Sequence, residues 1–200
     1  MRKILVGMMM LGGLAATAGT ADAQGFFPLA VEVRGGAGFP LGDFGDGVNT
    51  GWGFDANAQL RLAPMISVYG GYGTIDFDSS DEGGLLGAGS GTVTDQGFHA
   101  GAILSLPTGM LLGVSPYVKA GALYHEAKFD FENDAADMES EKNLGYEVGA
   151  GLTFPLGMVV SFTPEVKYRN YAPEWDNAFG TEDDEKLSYL MVDLGLKFSF

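Results

Sequence analysis

Apolar side chains recur at every second position over most of the chain. The stretch YLMVDLGLKFSF (189–200) sets Leu190, Val192, Leu194, Leu196, Phe198 and Phe200 on one side, and Tyr189, Met191, Asp193, Gly195, Lys197 and Ser199 on the other. A period of two is that of a strand, here with one wholly apolar face and one mixed face. GFDANAQL (53–60), GFHAGAIL (97–104) and GYEVGAGL (145–152) repeat the pattern; with YLMVDLGL (189–196) their starts are 44, 48 and 44 residues apart. A second set, each with proline at its start, falls between them: PLAVEVRGG from Pro28, PMISVYGGY from Pro64, PYVKAGALY from Pro116 and PEVKYRNY from Pro164. Self-similarity at a fixed period marks a repeated supersecondary unit, here a hairpin.

Two kinds of connection alternate along the chain. LAPM (62–65), PTGM (107–110) and PLGM (155–158) are tight, whereas residues 40–50, 78–93, 130–142 and 172–186 are long, glycine-rich and acidic. The pattern predicts eight strands, with short turns at one end and long loops at the other. Sequential antiparallel neighbours make an up-and-down meander, and closing it into a barrel removes the exposed edges of a flat sheet. The third strand, ISVYGGYGTIDF, shows no clean alternation and is expected to slip in register or carry a bulge.

Two barrels fit this count: a soluble carrier with an apolar interior, or a membrane barrel with an apolar exterior. The aromatic positions separate them. Trp52, Phe54, Phe98, Tyr124, Tyr146 and Tyr168 fall near the long-loop end of the apolar face, and Phe154, Phe162, Phe198 and Phe200 near the short-turn end. Two aromatic bands about 25 Å apart are the girdles of a transmembrane barrel. The expectation is therefore an all-β, eight-stranded antiparallel up-and-down transmembrane β-barrel, with both termini on the short-turn side.

The amino terminus is consistent with export. Met1, Arg2 and Lys3 precede an apolar stretch (4–20), and Ala21 and Ala23 stand at the small-residue positions of a cleavage site. Residues 1–23 read as a cleaved signal peptide, leaving one domain, 24–200. No run of 18 apolar residues offers a transmembrane helix. The absence of cysteine excludes a disulfide framework and thiol chemistry. A net charge of −15 argues against nucleic acid as a partner.

The terminal LGLKFSF, the run FPLGDFGDGVNTGWGF (39–54) and PYVKAGALY (116–124) resemble the outer-membrane β-barrel domain family, in its eight-stranded group with the OmpA membrane domain and OmpX. The resemblance covers the whole of 24–200. It implies a bacterial outer-membrane location, contact with outer-membrane lipid and lipopolysaccharide, and recognition of the Phe200 strand by the barrel-assembly machinery. Since the chain ends with the barrel, no peptidoglycan-binding domain is expected to follow it.

Candidate chemistry is confined to the inward parity and the loops. Some barrels of this kind are lipid A-modifying enzymes, which need a histidine and a serine presented to lipid. His99 and His125 both carry the inward parity and neither has a His-x-Ser pairing, so a non-enzymatic protein is expected. No cofactor is expected. Glu32, Arg34, Asp55, Arg61, Lys119, Glu147, Glu165, Lys167, Arg169, Asp193 and Lys197 also carry the inward parity. These six cations and five carboxylates must pair inside a narrow barrel, because a lone buried charge is costly. One reading is a polar plug that rigidifies the barrel, with Arg61, Lys119, Glu147, Glu165 and Lys197 pairing across it. The other is a narrow small-solute or ion channel gated by a switch of salt-bridge partners. Most of the 26 Asp and Glu lie in or beside the long loops, densest in DFENDAADMESEK and TEDDEK. Such a rim is solvated and self-repelling, and its clustered carboxylates could take Ca²⁺ or Mg²⁺. No calcium-loop motif is present, and DFGDG (43–47) reads as a glycine-supported turn.

Overall fold

The structure, a computed structural model, describes residues 29–78, 91–106, 113–131, 138–173 and 186–200. Their strands are β1 (Leu29–Pro40), β2 (Gly51–Ala63), β3 (Ile66–Asp78), β4 (Gly91–Ser105), β5 (Ser115–Phe131), β6 (Met138–Glu139), β7 (Asn143–Pro155), β8 (Val160–Tyr171) and β9 (Leu187–Ser199). Each long strand pairs antiparallel with its neighbour in sequence, and β1 pairs with β9 from Ala30↔Ser199 to Pro40↔Tyr189. The result is a closed, eight-stranded, up-and-down antiparallel barrel. The two-residue β6 is an accessory, bonded to β5 at Lys128↔Glu139 and Phe129↔Met138. The leader expected at 1–23, the PTGM turn (107–110), and residues 79–90, 132–137 and 174–185 of the long loops lie outside the described residues.

Glu32, Arg34, Asp55, Lys119, Glu147, Lys167 and Asp193 are buried, while Val33, Phe54, Val118, Val148, Val166 and Leu194 are exposed. The inside of the barrel is therefore the charged face. From the short turns up to the loop-side aromatic band the outward face is a continuous apolar surface, as a lipid-facing barrel wall requires. Outward aromatics touch one another on neighbouring strands: Tyr146 and Tyr168 at 6.1 Å between ring centroids, and Phe154 and Phe162 at 6.2 Å. Tyr72, which the sequence reading did not single out, joins the loop-side band edge-on to Phe98 at 5.2 Å.

Beyond that band, on β3, β4 and β5, the polarity of the two faces inverts. The outward row becomes Asp76, Asp78, Thr94, Gln96, Glu126, Lys128 and Asp130, and the inward row becomes Ile75, Phe77, Val93, Ala127 and Phe129, all buried. Thr94 donates to Asp76 at 2.7 Å and Gln96 to Glu126 at 2.8 Å on this outer wall. Water-facing strands put polar residues outside and lipid-facing strands put apolar ones there. The inversion at Tyr72, Phe98 and Tyr124 thus locates the upper lipid boundary, above which the barrel continues as a water-exposed β-structure.

Two local expectations are corrected. The third strand does not slip: β3 pairs with β4 without interruption from Ile66↔Leu104 to Asp78↔Thr92. Its inward row is Ser67, Tyr69, Gly71, Gly73, Ile75 and Phe77, so mixed polarity hid a regular alternation. The register shift lies in β2, between Arg61 and Ala63, beside the tight turn. DFGDG is a one-turn helix, α1 (Asp43–Gly47), rather than a plain turn. Gly42 enters it at φ 64°, a conformation glycine adopts freely, and α1 points Phe44 inward.

Pro164 sits mid-strand in β8, where it has no N–H to give the ladder. The β7–β8 register runs to Gly151↔Glu165, lapses, and resumes at Phe154↔Phe162. Beside the lapse, the Thr163 carbonyl accepts from Arg34 Nη1 at 3.2 Å.

Candidate functional site

The interior is filled in layers. Nearest the short turns, Arg34 from β1 is the hub. Its Nη2 is 2.8 Å from Glu32 Oε1 and donates to the Tyr117 hydroxyl at 2.7 Å, and its Nη1 meets Asp193 Oδ1 at 2.9 Å. Tyr117 donates in turn to Glu165 Oε2 at 2.8 Å. Thr163 Oγ1 donates to Glu32 Oε1 at 2.7 Å, and Gln59 to Glu32 Oε2 at 2.7 Å.

The next layer is tied to the first through Lys119. Its Nζ lies 2.8 Å from Glu165 and 3.2 Å from Glu147, and 5.1 Å above the Tyr69 ring. Tyr69 donates to Glu147 Oε1 at 2.5 Å. A Cβ on Gly101 would come within 2.8 Å of the Tyr69 hydroxyl, so the bare backbone there gives the phenol its room. Arg169 spans Glu147 Oε2, 2.9 Å from Nε, and Asp55 Oδ1, 3.0 Å from Nη2. Lys167 pairs with Asp55 and, at 2.9 Å, with Asp193.

Nearer the loops, His99 contacts Asn57 Oδ1 at 2.6 Å and Arg169 at 3.4 Å. Asp95 accepts from His125 Nδ1 at 2.7 Å, Tyr189 at 2.6 Å and Tyr171 at 3.1 Å. Above Asp95 the lumen is closed by an apolar cluster that includes Phe44, Val48, Ile75, Phe77, Val93, Phe129 and Leu187. Phe44 packs edge-on against Phe77 at 5.2 Å, and Phe77 against Tyr189 at 5.3 Å.

Nine of the eleven inward charges are brought together: Glu32, Arg34, Asp55, Lys119, Glu147, Glu165, Lys167, Arg169 and Asp193 are all buried. Arg61 and Lys197 are not part of that buried set. They stand at the short-turn mouth, Arg61 exposed and Lys197 half-buried, because the strands there open onto water. The lumen is also not polar throughout, since its loop-side end is an apolar plug. Asp95, two residues past the 78–93 connection, is not among the inward candidates read from the sequence, nor are Tyr69, Tyr117, Tyr171 and Tyr189, although Tyr189 falls on the mixed face of the last strand. Parity along a single strand finds Asp95, Tyr117, Tyr171 and Tyr189, each two or four residues from a charge or histidine already assigned, whereas β3 carries no assigned charge from which to place Tyr69.

A closed barrel with a filled, charge-paired interior and an apolar exterior banded by aromatics is a transmembrane β-barrel of the outer-membrane kind. The profile of the outer membrane protein beta-barrel domain family matches residues 6–200, and the chain belongs to that family. Its setting is the bacterial outer membrane. Among solved structures the fold is similar to Neisserial surface protein A (14% identity, TM-score 0.63, 88% of this chain and 100% of that one). It is also similar to the outer membrane protein OprG from Pseudomonas aeruginosa (16% identity, TM-score 0.54, covering 90% and 100%). A third is the attachment invasion locus protein Ail of Yersinia pestis, solved with the heparin analogue sucrose octasulfate (15% identity, TM-score 0.50, covering 86% and 99%). A search of curated protein sequences finds no match.

Proposed function

We propose that this protein is a non-conducting, non-enzymatic barrel that contributes to the outer membrane as a structural element and as a platform for its loops. The observation that carries the reading is the occupied lumen. Two sets of hydrogen bonds cross it, an ion-pair network joins the interiors of β1, β2, β5, β7, β8 and β9, and the Phe44 cluster caps it. Eight strands leave an interior that side chains can fill, and here they do. Both imidazoles point inward, toward Asn57 and Asp95, rather than toward lipid.

The proposal extends to biogenesis and partners. Residues 1–23 are a leader removed on export, and β9, with its outward Leu194, Leu196 and Phe198, is the strand we assign to recognition by the barrel-assembly machinery. The acidic loops face lipopolysaccharide, with divalent cations as the bridge between loop carboxylates and its anionic groups. Among the described residues no group of three or more metal-ligating side chains could hold an ion, and the densest acidic runs lie mostly outside them. Ail's sulfated ligand is a poor guide to this chain, whose net charge of −15 would repel a polyanion.

Planar-bilayer recording tests the reading, using the folded protein with heat-shifted gel mobility as the folding control. A silent bilayer is expected. Discrete, reproducible current steps would overturn the reading in favour of a narrow channel whose salt bridges change partners.

A further inference from the structure

Every seam of the barrel but one joins long strands that are consecutive in the chain. The remaining seam joins β1 to β9, the first and last strands, and no connection between them fixes how they align. Register is set by turns and by the pattern of faces, and here only the faces are left. A slip of one residue would turn the apolar rows inward, but a slip of two would not. Val31, Val33, Gly35 and Ala37 would still meet members of the row Val192, Leu194, Leu196 and Phe198, so the lipid face accepts either alignment. The choice falls to the inward residues.

In the observed register Arg34 lies opposite Gly195, and Asp193 lies opposite Gly36. Each charged side chain therefore crosses bare backbone on the other strand. A Cβ on Gly195 would come within 2.9 Å of Arg34 Cγ, and one on Gly36 would collide with the Val192 carbonyl oxygen and with Asp193 itself. Over these two glycines Arg34 Nη1 meets Asp193 Oδ1 at 2.9 Å, with both side chains buried. The same Nη1 donates to the Thr163 carbonyl on β8 at 3.2 Å, and Thr163 Oγ1 donates to Glu32. Displacing β1 by two residues in one direction sets Arg34 against Lys197, with like charges directly opposite. In the other direction Arg34 faces Asp193 with no glycine beneath either side chain. Both displacements also carry Arg34 and Glu32 about 7 Å along the strand from Thr163.

We propose that Arg34 and Asp193, each seated on the other strand's glycine, are the register key of barrel closure: they select the one alignment in which β1 joins β9. The pair then does more than fill the lumen. It rejects displaced barrels whose lipid face would match the native one.

Disulfide trapping tests this, because the chain has no cysteine of its own. Val33 and Leu196 are register partners, and opposite residues fall within the Cα separation a disulfide spans, whereas residues two places out of register do not. Val33→Cys with Leu196→Cys reports the native alignment, and Val33→Cys with Leu194→Cys or Phe198→Cys reports the displaced ones. Each pair is placed in the full chain, which is refolded from urea into detergent micelles and oxidised. Cross-links are then read by non-reducing peptide mass spectrometry of the heat-shifted, folded band. The parent should give the native cross-link alone. With Arg34→Gln or Asp193→Asn the displaced cross-links should rise by about tenfold or more, because losing one partner of a buried pair is worth at least that in population. Lys119→Met removes a cation from the same network on β5, whose barrel neighbours precede and follow it in the chain, and should leave the native cross-link alone. Native cross-links only in both seam variants overturn the proposal, as do displaced cross-links equally abundant in Lys119→Met. If Arg34→Gln gives no folded band, Asp193→Asn decides. Failure of both to fold while Lys119→Met folds supports the key, and failure of all three alike overturns it.

Discussion

Arg34 and Tyr117 stand on diametrically opposed strands, β1 and β5, and meet inside the barrel with Nη2 2.7 Å from the phenolic oxygen. Asp95 on β4 and Tyr189 on β9 make a second diametric contact higher up, at 2.6 Å. A hydrogen bond across the full width of a lumen leaves little room for water or solute beside it. These two contacts, with the ion pairs strung between them, are why the interior acts as a core.

Lys119 tests that core directly. It is the cation between Glu147 and Glu165, and those carboxylates are buried. Lys119→Met keeps the length of the side chain and removes its charge. Breaking one partner of a buried pair typically costs about 3–5 kcal/mol. The urea midpoint of the barrel in detergent micelles should fall accordingly, with bilayers still silent. A folded variant of unchanged stability that gains conductance would instead identify Lys119 as a gate residue.

The outward face makes the opposite kind of prediction. Leu194 is 58% exposed, and on a water-soluble protein replacing it with arginine would be nearly neutral. Mid-strand on a lipid face, the same change costs about 2–4 kcal/mol. Leu194→Arg should therefore lower the unfolding midpoint in lipid vesicles by that amount, whereas Lys128→Arg, above the lipid boundary, should not. Equal tolerance at both sites would mean that the boundary does not lie where the polarity of the faces inverts.

The membrane-facing half of this architecture was legible in the sequence because lipid demands uniformity. Val192, Leu194, Leu196 and Phe198 can be read as a face without knowing their neighbours. The inward half was legible only where it is charged. Glu147 and Arg169 announce a lumen, but Tyr69, Ile75 and Phe77 on β3 look like either face, and the strand's regular register was hidden by them. Asp95 escapes the inward set because the recognisable repeat starts at Gly97, while the strand itself starts at Gly91. The missed segment is the part above the lipid boundary, where outward residues become polar and the pattern used to recognise a membrane strand reverses. Arg61 and Lys197 share the parity of the buried charges, and parity says nothing about depth. Only the ends of neighbouring strands reveal that these two lie at the mouth.

Phe44 makes the plug at the loop side testable. It is carried by the one-turn helix α1, whose only other buried residue is Gly47, so Phe44 anchors the first long loop to the barrel through its contact with Phe77. Truncating a buried phenylalanine costs about 3 kcal/mol or more where the gap cannot collapse. Phe44→Ala should lower stability, and should speed amide hydrogen exchange at Asn49, whose N–H bonds Asp78 O at 2.8 Å. Faster exchange confined to the loop would show α1 as a latch. Unchanged exchange would show that Val48, also buried, holds the loop without it.

Asp95 supports the upper half of the lumen, and its chemistry separates the loss of a charge from the loss of an acceptor. His125 and Tyr171 both donate to Oδ1 and Tyr189 donates to Oδ2. In Asp95→Asn, the amide oxygen can take the Oδ1 position and keep two of these bonds. The amide nitrogen then faces the Tyr189 hydroxyl, which can rotate and accept. The expected cost is about 1–2 kcal/mol, mostly the weakening of charge-assisted bonds. Asp95→Leu keeps the branched four-atom outline in a larger side chain, and leaves one imidazole and two phenols without their acceptor, at about 1–3 kcal/mol for each. The leucine variant should therefore unfold at a much lower urea concentration than the asparagine variant, each followed by loss of heat-shifted gel mobility. Similar midpoints for the two would mean that water or rotated neighbours replace Asp95, and that the network above His99 is looser than the one built on Arg34.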